Sequence, residues 1–86
     1  MAKINREEYK VLKGLDEVWK WIARESDGDY GGDLFAYSEE PFKKRDIGRW
    51  NYGGWFHSID NHLFQFIQWE NENPFSIAEL IEEYEK

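Results

Sequence analysis

Val18-Trp19-Lys20-Trp21-Ile22-Ala23-Arg24-Glu25 is the stretch on which the fold turns. Its side chains alternate, with Trp19, Trp21 and Ala23 on one side and Val18, Lys20, Ile22 and Arg24 on the other. That is the period of two that a β-strand imposes. A strand with one aromatic and one mixed side needs partners, and the rest of the chain offers them. Residues 34–38 read as a second strand, hairpinned to the first across the Gly- and Asp-rich loop 26–33. Residues 42–48, with Lys43, Lys44 and Arg45, read as a basic connector. Residues 49–52 read as a third strand, interrupted at Gly53-Gly54, after which Trp55, Phe56 and Ile59 extend it or form a bulged corner. Asp60-Asn61-His62 reads as a turn. Residues 63–69 carry apolar side chains on both sides, which predicts a last strand placed centrally in the sheet.

Helices are expected at both ends. Asn5 is a suitable N-cap and Glu8 stands three residues on, the spacing of a capping box. Ile4 and Tyr9 are placed as a hydrophobic staple, and Gly14 supplies a stop. Near the C-terminus Ser76 and Glu79 repeat the capping-box spacing, with Phe75 and Leu80 as staple. Ile77, Leu80, Ile81 and Tyr84 form one apolar stripe. Glu79, Glu82, Glu83 and Glu85 lie off it as an acidic outer face, three of them near the negative helix end where like charge is unfavourable. The predicted fold is α+β: an antiparallel three- to four-stranded sheet flanked by an N-terminal and a C-terminal helix, order αββββα. Both helices are expected on one face, in a single domain over residues 1–86.

Composition explains how so short a chain can hold a core. Of 86 residues, 19% are aromatic, with five Trp, five Tyr and six Phe. Each ring buries about 150–250 Å² when enclosed, more than this core can fully accommodate, so some rings are expected at the surface. There is no cysteine, which excludes disulfides and thiolate chemistry and fits a reducing cytoplasm. The N-terminus lacks a signal-peptide pattern and no run is long and apolar enough to span a membrane, so a cytoplasmic location is expected. The net charge is −7, concentrated toward the C-terminus, where residues 51–86 hold Lys86 as their one basic residue. Such a field attracts basic surfaces and repels phosphate backbones, so a basic partner is favoured over direct nucleic-acid binding.

Catalytic signals are weak. His57 and His62 flank Asp60, an arrangement open to acid–base or metal chemistry, but no third ligand stands at a recognisable spacing and two surface histidines beside a turn suffice. Asp27, Asp29 and Asp33 fail the calcium-loop pattern, because Gly31 and Ser38 stand where ligands are required. No glycine-rich segment opens a helix as a phosphate cradle. Neither catalysis, nor a metal, nor a cofactor is expected. Lys43, Lys44 and Arg45, with Arg49 and Trp50 nearby, leave nucleic-acid contact through charge and stacking as the alternative function. The glycine-flanked segment Trp50-Asn51-Tyr52-Gly53-Gly54-Trp55-Phe56 is the best candidate for exposed anchoring rings.

Three stretches carry a resemblance: Trp19-Lys20-Trp21-Ile22-Ala23-Arg24, then Phe64-Gln65-Phe66-Ile67-Gln68-Trp69-Glu70, then Ser76-Ile77-Ala78-Glu79-Leu80-Ile81-Glu82-Glu83-Tyr84. With them the chain resembles small accessory proteins encoded by phages and prophages of Gram-positive bacteria. The resemblance implies an inhibitor of a host defence or nucleic-acid-handling enzyme, of the anti-CRISPR type that binds the effector nuclease and mimics DNA with acidic surfaces. On that expectation Glu70, Glu72, Glu79, Glu82, Glu83 and Glu85 occupy a basic groove of the partner, and Trp50, Tyr52, Trp55 or Phe56 anchors the contact.

Overall fold

The structure is a computed structural model describing residues 2–26 and 32–86, so the predicted loop 26–33 with Asp27 and Asp29 lies largely outside the described residues. The first helix, α1 (Arg6–Gly14), starts where its cap requires. The Asn5 side chain accepts from the Glu8 N–H at 2.8 Å, and the Glu8 carboxylate accepts from the Asn5 N–H at 2.9 Å, closing the capping box. Two strands follow, β1 (Trp21–Arg24) and β2 (Leu34–Tyr37), paired antiparallel with Trp21 opposite Tyr37 and Arg24 opposite Leu34. Next come β3 (Phe42–Lys44), β4 (Arg49–Asn51) and β5 (Phe56–Ile59). The short β6 (Phe75–Ser76) leads into α2 (Ile77–Glu85), whose first turn is capped by the Ser76 hydroxyl accepting from the Glu79 N–H at 3.3 Å. The main sheet is antiparallel, in the order β5-β2-β1-β6, and β3 with β4 forms a separate two-stranded hairpin. The chain is thus α+β with a helix at each end.

The alternation holds over β1 and divides the molecule into two faces; Trp19, expected on the side of Trp21 and Ala23, lies before the strand and packs instead against the helix-bearing core. Ile22 and Arg24 point to the helix-bearing face, where Ile22, Leu34, Ala36 and Ile59 meet Leu12 of α1 and Ile77 and Leu80 of α2. The helices also meet directly through stacked Tyr9 and Tyr84 rings, 4.3 Å between centroids. On the opposite face Ala23 and Tyr37 are covered by Trp50 of β4, with Trp21, Phe35 and Trp69 around them.

Residues 49–52 are not the third strand of the main sheet continued by Trp55, Phe56 and Ile59: Arg49–Asn51 pair with β3 in the separate hairpin, and Phe56–Ile59 are a strand of their own on β2. Two further sequence expectations fail, for identifiable reasons. Residues 42–48 are a hairpin rather than a connector. Lys43 lies inward beneath it, its ammonium 4.5 Å from the Trp69 ring centroid and donating to the main-chain oxygens of Trp69 and Asn71. Gly48 closes the turn at φ +68°, a left-handed conformation that an L side chain resists, and a Cβ there would also meet the Ser26 hydroxyl at 2.3 Å.

The second failure is larger. Residues 63–69 form turns and irregular backbone, not a strand, and the fourth strand of the sheet is β6 instead. The cause is Arg24, whose side chain is fully buried. Its guanidinium donates to the carbonyl oxygens of Ile67 (2.6 Å), Gly32 (2.7 Å), Asn61 (2.9 Å), Leu63 (2.9 Å) and Phe64 (3.1 Å). Carbonyls that turn inward around one cation cannot form the evenly spaced ladder of a strand. Apolar side chains occur on both sides because Leu63, Phe64 and Ile67 all fill the helix-bearing core.

Phe64 adopts φ +56°, a left-handed conformation that costs a non-glycine residue roughly 1–2 kcal/mol. It is held from both ends. Arg24 takes its carbonyl, and the Glu8 carboxylate accepts its N–H with the oxygen left over from the capping box. Replacing Arg24 with Met should leave these buried carbonyls without donors and lower stability by about 3–5 kcal/mol. Arg24→Lys should rescue little, because an ammonium cannot reproduce the planar fork. Urea unfolding followed by circular dichroism measures both variants; a loss below about 1 kcal/mol for Arg24→Met would show that the guanidinium does not organise this segment.

Candidate interaction site

The residues singled out from sequence separate into two surfaces. The acidic set lies on and before α2. There Glu83 meets Lys3 at 3.3 Å, Glu85 meets Lys13 at 3.6 Å, and Glu82 meets Lys86 at 3.8 Å. The Tyr9 hydroxyl donates to Glu85, and that bond, with the nearby Lys13, holds the Glu85 carboxyl below its ordinary 4.5. Glu72 pairs with Arg45, which lowers its pKa in the same direction. Glu70 and Glu79 are exposed and have no ion pair among the described residues. Two of the glutamates that looked unfavourable at the end of α2, Glu83 and Glu85, therefore tie it to the N-terminal segment through Lys3, Tyr9 and Lys13, while Glu82 pairs with Lys86. Exposed pairs of this kind contribute little to stability, so charge remains available at the surface.

The aromatic set is split by burial. Trp50 is enclosed, only 4% exposed, and its indole N–H donates to the Arg24 carbonyl at 3.0 Å. It is a core residue and presents no anchoring ring to a partner. Tyr52, Phe56 and Trp55 are 40%, 51% and 75% exposed. The Trp55 backbone is nonetheless fixed: its N–H donates to the Ser38 hydroxyl at 2.8 Å and its carbonyl accepts from the Ser38 N–H at 3.1 Å. Gly54 permits this close approach, because a Cβ there would meet the Ser38 hydroxyl oxygen at 2.3 Å. A rigid backbone thus holds a large apolar ring in water.

The next residue, Phe56, lines an open groove of about 330 Å³ on the sheet face opposite the helices. Its walls are a chain of rings. Phe35 meets Phe56 edge to face at 5.6 Å, Phe56 meets Tyr52 at 5.0 Å, and Tyr52 meets Tyr37 at 5.5 Å. Burial, followed by the charge of Glu25, pushes the Tyr37 hydroxyl pKa well above its ordinary 10, so it remains a neutral donor. Lys44, Ile47, Arg49, Trp50 and Asn51 of the hairpin, with Glu25 after β1, complete the lining. Sequence reading missed Phe35 and Tyr37, since alternation in β2 could not show which of its faces stays open. It also did not pair Lys44 with Arg49, because the hairpin that places them opposite each other was read as a connector.

The histidines do not converge on a common centre with other ligands. His57 packs its ring against Trp19 at 5.4 Å, while His62 Nδ1 lies 2.5 Å from Asp60, an exposed contact that lowers the Asp60 pKa. No group of three or more potential metal-ligating side chains occurs among the described residues, and none of their helices is long and apolar enough to cross a membrane. The basic set disperses too. Lys43 is engaged beneath the hairpin and Arg45 is paired with Glu72, leaving Lys44 and Arg49.

No family model, curated protein or solved structure significantly matches the chain.

Two solution properties follow from this placement. Trp55 should account for most of the iodide-accessible tryptophan emission, so Trp55→Phe should sharply reduce Stern–Volmer quenching while leaving the circular dichroism unchanged; undiminished quenching would place another indole in water. The depressed Glu85 carboxyl stabilises the folded state above its ordinary pKa of 4.5, and that stabilisation is lost as pH falls through the lower folded value. The Glu85→Gln variant should accordingly be less stable than wild type at pH 7 and converge toward it at pH 3, as read from thermal unfolding at both pH values.

Proposed function

We propose that this chain is a non-catalytic protein-binding protein that docks through the aromatic surface formed by Tyr52, Trp55 and Phe56. The observation that carries the reading is the fixed presentation of Trp55, an indole 75% exposed on a backbone anchored by Ser38, next in the chain to Phe56 of the open groove. Rigid exposed aromatic rings next to a concave apolar surface are what anchors a protein interface, because they bury large area at little entropic cost. Phe42 and Ile47, 59% and 58% exposed, enlarge the apolar surface of the hairpin.

In this reading the chain inhibits by occupying a surface of its partner. The resemblance to phage accessory proteins supports a host defence or nucleic-acid-handling enzyme as that partner, with a CRISPR effector nuclease as the specific form. The carboxylates of α2, with Glu70, supply a secondary attraction to a basic surface. They rank second because Glu72, Glu82, Glu83 and Glu85 already have cations beside them. Direct nucleic-acid binding has less support, since the basic residues are dispersed and Trp50 is buried.

Capture of host proteins by the tagged chain, quantified by mass spectrometry, tests the ranking. Trp55→Ser with Phe56→Ser should reduce capture of the bound protein at least tenfold with the fold intact. Glu70→Lys with Glu79→Lys should change it by less than about threefold. The reverse pattern would make electrostatic mimicry the mechanism and remove this proposal.

A further inference from the structure

The groove lined by Tyr52 and Phe56 has two features that protein binding in general does not require. The first is a like-charge pair. The hairpin register sets Lys44 directly opposite Arg49, and neither has an acidic partner among the described residues. Like charges facing each other across a β-ladder are unfavourable, yet both side chains line the groove. With Glu25 on the same lining, the rim carries two positive charges and one negative, a local excess of +1 in a chain of net charge −7.

The second feature is the free edge of β5. This strand ends the sheet, with β2 as its one neighbour. The direction of its main-chain groups follows from the ladder. Tyr37 and Asp33 give their carbonyls to the Lys20 and Glu25 N–H groups on the β1 side, whereas Ser38 donates its N–H to Trp55 on the β5 side. Antiparallel bonding alternates along a strand, so Leu34, Ala36 and Ser38 bond toward β5. Their register partners Ile59, His57 and Trp55 bond back. Phe56 and Ser58 therefore turn their N–H and C=O groups away from the sheet. These exposed residues form a short template for one more strand.

Resting on the protein-binding reading above, we infer that the groove and the β5 edge together take an extended, acidic segment of the partner. Its backbone adds to β5 at Phe56 and Ser58. An apolar side chain of the segment enters between Phe35, Tyr37, Tyr52 and Phe56, and neighbouring carboxylates meet Lys44 and Arg49. The ring geometry favours a side chain over a nucleobase. Phe35 with Phe56 and Tyr52 with Phe56 are edge to face, at 84° and 62°, which makes a socket rather than a flat stacking platform. The net charge of −7 points the same way, because it opposes a phosphate polyanion far more than a segment with two or three carboxylates.

Selection of a displayed library of random 12-residue peptides on the full chain tests this directly. Enriched peptides should carry Asp or Glu beside Phe, Ile, Leu or Val. They should lose at least tenfold in affinity with Lys44→Glu plus Arg49→Glu, and a similar amount with Ser58→Pro. The proline removes one outward N–H while leaving the bonds to β2 in place, and circular dichroism verifies the fold of each variant. Basic or uncharged consensus peptides, affinity indifferent to both variants, or no enrichment at all would overturn the inference. So would a decathymidylate strand that binds saturably and shifts the amide signals of Phe56 and Ser58. If the captured host protein depends on Trp55 and Phe56 but not on Lys44, Arg49 or Ser58, the acidic segment is refuted and the protein-binding reading stands.

Discussion

A guanidinium has five N–H donors in one plane, and when it is sealed from water each of them needs an oxygen. At Arg24 the oxygens come from the backbone itself, from Gly32 at one end of the hairpin loop and from Asn61, Leu63, Phe64 and Ile67 between β5 and β6. Burial lowers the Arg24 pKa from its ordinary value, with the charge of Asp33 opposing that shift, and the converging carbonyl dipoles supply the solvation that water would otherwise give. This one side chain gathers pieces of backbone far apart in sequence. Its own main-chain carbonyl, facing the other way, accepts from Trp50 and fastens the hairpin to the opposite face. Both layers of the molecule thus register on the same residue of β1.

Glu8 has a comparable double role at the other side of the strained turn. One carboxylate oxygen closes the capping box of α1 and the other holds the Phe64 N–H, so the start of the first helix is tied to residues near position 64. A left-handed phenylalanine persists where its surroundings over-determine it. Here the N–H, the carbonyl and the fully buried ring of Phe64 are all committed. The most exposed rings, Phe42, Tyr52, Trp55 and Phe56, lie in and between the hairpin and β5, and the groove opens on the face opposite the helices. Trp50 covers only part of that opposite face. The remainder, over Phe35 and Tyr37, is the groove.

The ends of the chain were legible because their signals are local. A capping box, an apolar stripe and an alternating strand involve residues within a few positions of one another, and tertiary packing left α1, α2, β1 and β2 close to where those patterns put them. Residues 63–69 were misread because apolar side chains on both sides describe a buried strand and a buried turn equally well. What distinguishes them is the position of Arg24, about forty residues earlier in the chain, and alternation in β1 gave no sign that its guanidinium would be enclosed. The candidate site was legible in the same uneven way. Glycines at 53 and 54 marked Tyr52, Trp55 and Phe56, whereas Trp50, two residues before Tyr52, went to the core because its indole N–H has a carbonyl to meet.

The alternating pattern at residues 18–25, realised as a strand over Trp21–Arg24, together with its capped helical flanks, determined by itself that this chain would form a sheet with a helix at each end, since periodicity and capping act through neighbours in sequence. Tertiary structure alone decided which rings would remain in water, which glutamates of α2 would be paired, and that Lys44 would face Arg49 across a groove. Those outcomes depend on which distant groups satisfy buried donors and acceptors, and spacing along the chain does not encode that choice.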